Sequence, residues 1–285
     1  MQPEGIAIMR RVAAWALAAC LSACAGSAEQ NAAGTPSVAQ IIEKNAAARG
    51  GADAWRKIDS MVWIGHVESG NAPAHFVLAT KRPNKTRFEI VAMNRMALRV
   101  YDGTQGWKLR PMRRGEGPNV QQYTPEELKF AHDEQVIDGL LIDHEAKGIV
   151  IKLEGTDEVE GHKAYRLNVR LPSGATRRVW VDANTFLEMK SEHETHGLLG
   201  QPVTVTVYYR DYQTIDAVKL PVVIESSAGA GQASDKLVID KVQLNPKLDD
   251  GLFMRPLVAA DRSRAVQVRP DAGPASALPG GAPAH

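Results

Sequence analysis

The residues with the clearest potential for chemistry lie close together late in the chain: Glu192, His193, Glu194 and His196. A zinc-binding His-Glu-x-x-His motif needs its two histidines four residues apart on one helix. Here the histidines are three residues apart in a predicted strand, and an odd separation places strand side chains on opposite faces. The spacing therefore favours a solvated hairpin end over a metal centre.

The other reactive side chains form no catalytic pattern. Neither a Gly-x-Ser-x-Gly nucleophile elbow nor a glycine-rich phosphate loop is present, and the body of the chain has no cysteine. Residues 249–251, Asp-Asp-Gly, lack the further oxygen ligands of a calcium loop. Isolated histidines are expected to be solvated or hydrogen-bonded: His66, His75, His132, His144 and His162. The sequence therefore predicts a protein that is not an enzyme and uses no metal or other cofactor.

The overall composition argues against several classes of partner. The 34 lysines and arginines nearly balance the 33 aspartates and glutamates, whereas a nucleic-acid footprint is usually strongly basic. Aromatic residues make up only 6% of the chain, which argues against a platform that stacks bases. Hydrophobic residues make up 44%, enough for a core in one large β domain or two small ones. We expect no nucleic-acid partner.

The N-terminal residues are typical of a secretion signal. A basic Met-Arg-Arg at 9–11 precedes a short apolar stretch, 12–21, that is too short to span a bilayer as a mature helix. Glu4 is unusual for such a signal, so translation starts at either Met1 or Met9. Both cysteines, Cys20 and Cys24, lie in this region, and the body must therefore be stabilised by burial rather than by a disulfide of its own.

The end of the signal resembles the lipobox of bacterial lipoproteins. Leu21-Ser22-Ala23-Cys24 has a leucine, two small residues and a cysteine in that order. The resemblance implies cleavage before Cys24, attachment of acyl chains such as palmitate, and an outer-membrane location because Ala25 is not aspartate. Two or three acyl chains suffice to hold a protein on a membrane. The alternative is ordinary cleavage after Ala25 and release of a soluble protein.

The body alternates apolar and polar residues with the period of β-strands. Val203, Val205 and Val207 alternate with threonines, which is typical of a strand with one dry face. Short turns between such stretches indicate an antiparallel meander. We predict strands at 61–67, 75–81, 86–91, 96–101 and about 107–110, and then at 149–154, 163–171, 178–181, 186–191, 203–210, 220–226 and 236–244. About a dozen strands are enough to form a strongly curved sheet that does not close.

Helices are predicted to cover part of this sheet. Thr35 is predicted to cap a first helix with Pro36 at its first position, and Gly50-Gly51 to end it, followed by a short helix at 52–58. Between Gly115 and Gly148 the alternation disappears. Thr124-Pro125-Glu126-Glu127 there is typical of a capping box, so we predict a helical insertion that acts as a lid.

The order of these elements resembles the lipoprotein-localisation superfamily of LolA/LolB-like proteins, especially the outer-membrane lipoprotein-sorting proteins. The similar segments are 41–55 (IIEKNAAARGGADAW), 101–107 (YDGTQGW), 124–128 (TPEEL), 181–189 (VDANTFLEM) and 249–253 (DDGLF). The resemblance implies an unclosed half barrel of antiparallel strands, helices that plug its mouth, and a hydrophobic cavity for acyl chains.

The domain organisation follows from these features. We predict a lipoprotein signal peptide at 1–23, a flexible tether at 24–35 and a LolA/LolB-like half-barrel domain at 36–258. Residues 259–285 are rich in alanine, proline and glycine without periodicity, which predicts a disordered tail.

The predicted cavity wall consists of apolar residues of the strands, and for each of them plain core packing is the alternative: Phe76, Leu78, Phe88, Ile90, Leu98, Trp107, Leu167, Val179, Val205 and Val207. Leu198 and Leu199, in a hairpin connection between two glycines, are predicted to contact the membrane. The alternative is that they fold back on the sheet.

The predicted function is therefore that of a lipid-anchored protein of the outer membrane, facing the periplasm, which binds acyl chains of lipoproteins or lipids during lipoprotein sorting or transfer. The membrane is contacted through lipidated Cys24. The alternative is a non-catalytic envelope scaffold with a filled core that binds an unidentified envelope protein.

Overall fold

A computed structural model describes residues 34–68, 74–92, 95–109, 119–134, 137–196, 201–229 and 234–257. The described residues from Pro36 to Leu257 belong to one compact unit. The predictions for the signal peptide, for Cys24, for Leu198 and Leu199 and for the C-terminal tail lie outside the described residues. No helix within the described ranges is long and apolar enough to cross a membrane.

The predicted mainly β fold is confirmed, as one antiparallel sheet of 13 strands that does not close into a barrel. The strands are β1 Ser60–Glu68, β2 Ala74–Lys81, β3 Lys85–Ala92, β4 Arg95–Tyr101, β5 Gly106–Leu109, β6 Val120–Gln122, β7 Val150–Val159, β8 His162–Arg170, β9 Thr176–Asp182, β10 Glu188–His196, β11 Pro202–Ile215, β12 Val218–Ala228 and β13 Asp235–Leu244.

The sheet consists of two meanders that meet at its centre. Strands β1 to β6 run outward in one direction and β13 to β7 in the other, because β1 pairs with β13, with Met61 opposite Leu244. The edge strands are therefore β6 and β7, which are consecutive strands in the chain. Their connection, from Tyr123 to Ile149, contains the third helix and returns across the fold.

Three helices precede or interrupt the strands: α1 Val38–Ala48, α2 Ala52–Arg56 and α3 Pro125–Glu134. The predicted cap of α1 is wrong, because Ser37 rather than Thr35 caps it, in a reciprocal pair of hydrogen bonds with Gln40. Serine is a better N-cap than threonine, and the glutamine three residues later completes the box. The predicted box of α3 is present, with Glu127 N–H donating to Thr124 Oγ1 at 3.2 Å.

Gly50 ends α1 where the chain must approach the sheet closely. Its φ is +101°, and a Cβ at this position would lie 2.1 Å from the carbonyl oxygen of Ala217. Only glycine tolerates both conditions without strain. The turn is further tied to β12 by a hydrogen bond from Lys219 N–H to the Arg49 carbonyl at 3.0 Å.

The two faces of the sheet are covered by different parts of the chain. One, the helix-covered face, presents Met61 and Leu167, which pack with Trp55 of α2 and Ile41 of α1 respectively. On the opposite face, Phe253 of a short 3-10 helix, Asp250–Phe253, packs against a separate apolar cluster: Val62, Ala79, Leu98, Val100 and Leu109. Strands alternate side chains between faces, so adjacent residues Met61 and Val62 enter different cores.

Candidate functional site

A cavity of about 220 Å³ lies between the helix-covered face and the chain that crosses it, and we call it the main cavity because most of its lining is apolar. Six strands contribute to its wall: β1, β2, β9, β10, β11 and β12. Its apolar lining includes Met61, Trp63, Leu78, Val179, Leu220, Ile224, Ile137 and Leu140. The last two belong to residues 137–148, which we call the lid segment.

The lid segment is anchored by two adjacent apolar residues. Leu141 packs with Ile41 and Val179 in one core cluster, and Ile142 packs with Trp55 in another. Both side chains are fully buried. The predicted lid therefore exists as a covering element, but it is built from turns after the end of α3 rather than from a continuous helix.

One end of the main cavity is polar and is organised by Arg49. This side chain is only 6% exposed, and its guanidinium lies 4.4 Å from the ring centre of Trp55. Nη1 donates hydrogen bonds to the Asp138 carbonyl at 2.9 Å and to Glu188 Oε1 at 3.4 Å. The charged group thus connects α1, the lid segment and β10 while it faces the cavity.

Tyrosines and a serine complete the polar end. Burial raises the pKa of Tyr212 well above its ordinary value, so its hydroxyl stays protonated at neutral pH and donates to the Glu188 carbonyl at 2.9 Å. The hydroxyls of Ser191 and Tyr209 lie 3.0 Å apart. These groups are mutually satisfied, and they can orient a ligand without adding an uncompensated charge.

A second set of ionic contacts, centred on the Asp138 carboxylate, holds the lid segment in place. The Asp138 carboxylate, 2% exposed, accepts from Lys147 Nζ at 2.7 Å and from Arg82 Nη2 at 3.1 Å. Lys147 Nζ also donates to the carbonyls of Gly139 and Ile142 at 2.8 and 2.6 Å. Burial lowers the pKa of Lys147, although Asp138 opposes this effect. Because a buried carboxylate is stable only when its partners are close, the lid segment keeps this position only while Lys147 and Arg82 both contact Asp138.

The predicted wall residues fall into three groups. Leu78 and Val179 line the main cavity. On the same face, Leu167 packs beneath α1, while three others fill a neighbouring core cluster: Phe76, Phe88 and Ile90. Val205 and Val207 share this face by register, because they pair with His193 and with the cavity-lining Ser191.

Leu98 and Trp107 lie on the opposite face. Leu98 is 1% exposed and packs in the cluster around Phe253, and Trp107 packs against the same cluster. The register explains this placement, because Leu98 pairs with Glu89, whereas the helix-covered face of β3 carries Phe88 and Ile90. Alternation separates Leu98 and Val100 of β4 from the exposed Arg99, but it does not identify which face of the sheet borders the cavity.

The histidine and glutamate cluster does not form a metal centre among the described residues, where no group of three potential metal ligands occurs. Glu192 pairs with Lys190 at 2.7 Å. The ring of His193 lies 5.4 Å from that of Phe130, and the residue is partly exposed in the hairpin of β10 and β11. The side chain of His196 lies outside the described residues.

The site residues missed at the sequence level are the polar ones, above all Arg49, Asp138 and Glu188. Ile41, Asn45 and Arg49 follow one another at intervals of four, which places all three on the same face of α1. This spacing places Arg49 on the buried face of that helix, so its burial is predictable from the sequence. The partners Asp138 and Glu188 are 89 and 139 residues away, and no local pattern identifies them.

Comparisons with known proteins identify the fold. No family model matches the sequence, and no curated protein matches it. A LolA superfamily protein from Nitrosomonas europaea is 14% identical, with a TM-score of 0.52 over 77% of this chain and 98% of that one. A DUF1329 family protein from Desulfovibrio piger is 12% identical, with a TM-score of 0.49 over 77% and 98%. An outer membrane lipoprotein-sorting protein domain from Vibrio parahaemolyticus is 10% identical, with a TM-score of 0.42 over 76% and 95%. The similarity to the first of these structures confirms the predicted resemblance at the level of the fold.

Proposed function

We propose that this chain, whose fold is LolA-like, binds an acyl chain of a lipoprotein or lipid in its main cavity and serves in lipoprotein sorting or lipid transfer at the outer membrane. The observation that carries the proposal is an apolar cavity of about 220 Å³ beneath a lid segment held by polar contacts. A scaffold with a filled core would have no use for such a space.

The volume of the cavity suits part of an acyl chain. It is many times the roughly 10–15 Å³ that one water requires and lies just below the roughly 300–1,000 Å³ typical of small-molecule sites. Each methylene removed from water contributes about 0.8 kcal/mol, so even a short buried segment gives useful affinity. Longer chains require the lid segment to move outward.

The contacts of the lid segment fit reversible opening. Leu141 and Ile142 hold it by apolar burial, whereas Arg49, which is itself bonded to Glu188 of β10, holds it by a hydrogen bond to the Asp138 carbonyl. Apolar contacts of a lid can be exchanged for contacts with an acyl chain at little net cost. Hydrogen bonds of a single guanidinium can break and reform, and this makes the Arg49 contacts the natural switch between closed and open forms.

The proposal is tested by the uptake of a fluorescent fatty acid. Leu78→Trp places a larger side chain in the main cavity, and we expect binding to weaken about tenfold or more. Val91→Trp is the matched control, because Val91 is 42% exposed on β3 and does not line the cavity. Leu78→Ala should bind the probe at least as well as the unmodified protein. If the wild-type protein takes up no probe, or if Leu78→Trp and Val91→Trp bind it equally while both are folded, the proposal fails.

The anchor is proposed separately, on the sequence of residues 21–24. Lipidation of Cys24 would hold the domain at the outer membrane facing the periplasm, and Leu198 and Leu199 would add a membrane contact. Cys24→Ala should move the protein from the detergent phase to the aqueous phase. If this variant still partitions into detergent, attachment has another cause.

A further inference from the structure

A second cavity adjoins the main one. It has a volume of about 320 Å³ and lies beside the lid segment, where Arg82, Asn84, His132, Lys147 and Pro172 contribute to its wall. Asp133, near the end of α3, lines both cavities. One acidic side chain is therefore common to the walls of the two spaces.

Two of the described residues that line this second cavity each carry a buried oxygen acceptor without a donor. Asp133 is 6% exposed; its Oδ2 accepts from Ser173 Oγ, but its Oδ1 is buried without a hydrogen bond in the described structure. The ring nitrogen His132 Nδ1 lies 3.7 Å from Oδ1, which is too far for a hydrogen bond. Asn84 donates through Nδ2 to the His132 carbonyl at 3.2 Å, while its own Oδ1 is likewise buried without a donor. A buried carboxylate oxygen without a donor is costly, which indicates that a ligand supplies one.

A cation with an unused donor lines the same cavity. Arg82 Nε donates to the Ile58 carbonyl, and Nη2 donates to Trp55 and Asp138. Within the described part of the chain, Nη1 makes no hydrogen bond. Lys147 differs, because its three Nζ protons go to Asp138, Gly139 and Ile142. The described residues that line the second cavity thus provide one donor without a partner, Arg82 Nη1, and two acceptors without donors, Asp133 Oδ1 and Asn84 Oδ1.

We propose that the second cavity binds a lipid headgroup that carries a primary ammonium next to a phosphate, as phosphatidylethanolamine does. The ammonium has three N–H donors, which match Asp133 Oδ1 and Asn84 Oδ1, and the phosphate accepts from Arg82 Nη1. The acyl chain passes Asp133 into the main cavity, so this inference rests on the proposed function. A trimethylammonium headgroup has the same charge but no N–H donor, and it leaves both acceptors unsatisfied.

The test compares two lysophospholipids with identical acyl chains as competitors of the fluorescent fatty acid on the wild-type protein. Lysophosphatidylethanolamine should displace the probe at about tenfold lower concentration than lysophosphatidylcholine, because only the former donates charge-assisted hydrogen bonds. Equal displacement by the two lipids overturns the headgroup assignment and indicates that water alone fills the second cavity. If the protein takes up no probe, the proposed function itself fails.

An isosteric variant assigns the preference to one side chain. Asp133→Asn removes the negative charge, so the preference for the ethanolamine lipid over the choline lipid, measured as the ratio of their displacing concentrations, should fall severalfold. Asp216→Asn, on an exposed turn between β11 and β12, is the matched control and should keep the preference. A preference that persists undiminished in folded Asp133→Asn contradicts the assignment.

Free phosphoethanolamine distinguishes a lipid site from a site for the soluble headgroup. Because the acyl chain supplies most of the buried apolar area, phosphoethanolamine alone should bind at least about a hundredfold more weakly than the lysolipid in calorimetry. Equal affinities would mean that the second cavity serves the soluble compound, and would overturn its assignment to a lipid.

Discussion

At the scale of single residues, Arg49 connects more of the site than any apolar side chain does. It extends the buried stripe of α1, packs over Trp55, and donates to the lid segment and to β10. Its alkyl part can be replaced by another long side chain, but its donors cannot. The hydrogen bonds and the packing are therefore separable by substitution.

Arg49→Met should keep most of the packing and remove the hydrogen bonds to Asp138 and Glu188. A hydrogen bond that involves a charged group is worth about 1.5–3 kcal/mol, so local opening of the lid segment should become roughly ten- to a hundredfold more frequent. Amide hydrogen exchange of residues 137–148 measures this effect. Arg166→Met on β8, which removes ion pairs with Glu154 and Asp157 of β7, is the control. Unchanged exchange in Arg49→Met would show that Arg49 does not hold the lid segment.

Asp143 gives the lid segment a dependence on pH. Hydrogen bonds from Arg56 lower the pKa of its carboxyl from the ordinary value of 3.8. A carboxyl whose pKa is lower in the folded state stabilises the fold above its unfolded pKa. This stabilisation is lost as the pH falls through the folded value. Because Arg56 is more than half exposed, the effect is small.

Asp143→Asn should therefore lower the midpoint of thermal unfolding slightly at pH 7 and leave it unchanged near pH 2. The difference should shrink below about pH 4, where the wild-type carboxyl becomes protonated. Circular dichroism melts across this range measure it. Asp216→Asn should behave as the wild type, and a difference for Asp143→Asn that grows on acidification would contradict the interpretation.

At the scale of elements, local sequence patterns predict the strands better than they predict the helices and turns that cover the sheet. Alternation predicted most of the strands, because a strand with one dry face must alternate. Strand β6 was missed within the predicted helical insertion, since its three residues, Val-Gln-Gln, show no periodicity. The predicted cap of α1, Thr35, lies two residues before the observed cap, Ser37, because Pro36 favours a helix start at its own position whereas Ser37 and Gln40 complete a capping box.

The assignment of apolar residues to a face depended on contacts that are distant in sequence. Leu98 and Trp107 face Phe253, which lies about 150 residues later in the chain and reaches the opposite face through a 3-10 helix. No local pattern shows that this helix, rather than α1 or the lid segment, covers β4. Asp138 and Glu188, the hydrogen-bond partners of Arg49, are likewise too distant in sequence for a local pattern to identify them.

Phe253→Ala provides a test of this two-faced arrangement. The side chain is fully buried, and its removal should cost about 3–5 kcal/mol of unfolding free energy, measured by urea denaturation. Fatty-acid affinity of the folded protein should stay unchanged, because the cavity lies on the other face. Leu257→Ala, at a residue 56% exposed, should cost little. A loss of affinity in folded Phe253→Ala would mean that the two faces are coupled.

At the scale of the whole molecule, the pairing of β1 with β13 explains why a cavity can exist. The first and last strands meet in the middle of the sheet, and both edges, β6 and β7, remain unpaired with each other. A sheet that does not close needs helices and turns to cover its apolar faces. The space under the lid segment is a consequence of this topology.

Native mass spectrometry of the protein purified under non-denaturing conditions tests acyl-chain binding most directly. The wild-type protein should carry one lipid per chain, either as purified or after incubation with lysophosphatidylethanolamine. Leu78→Trp should carry much less, and Val91→Trp should match the wild type. A folded wild-type protein that remains lipid-free in both conditions, or a Leu78→Trp variant loaded as fully as the wild type, would contradict binding in the main cavity.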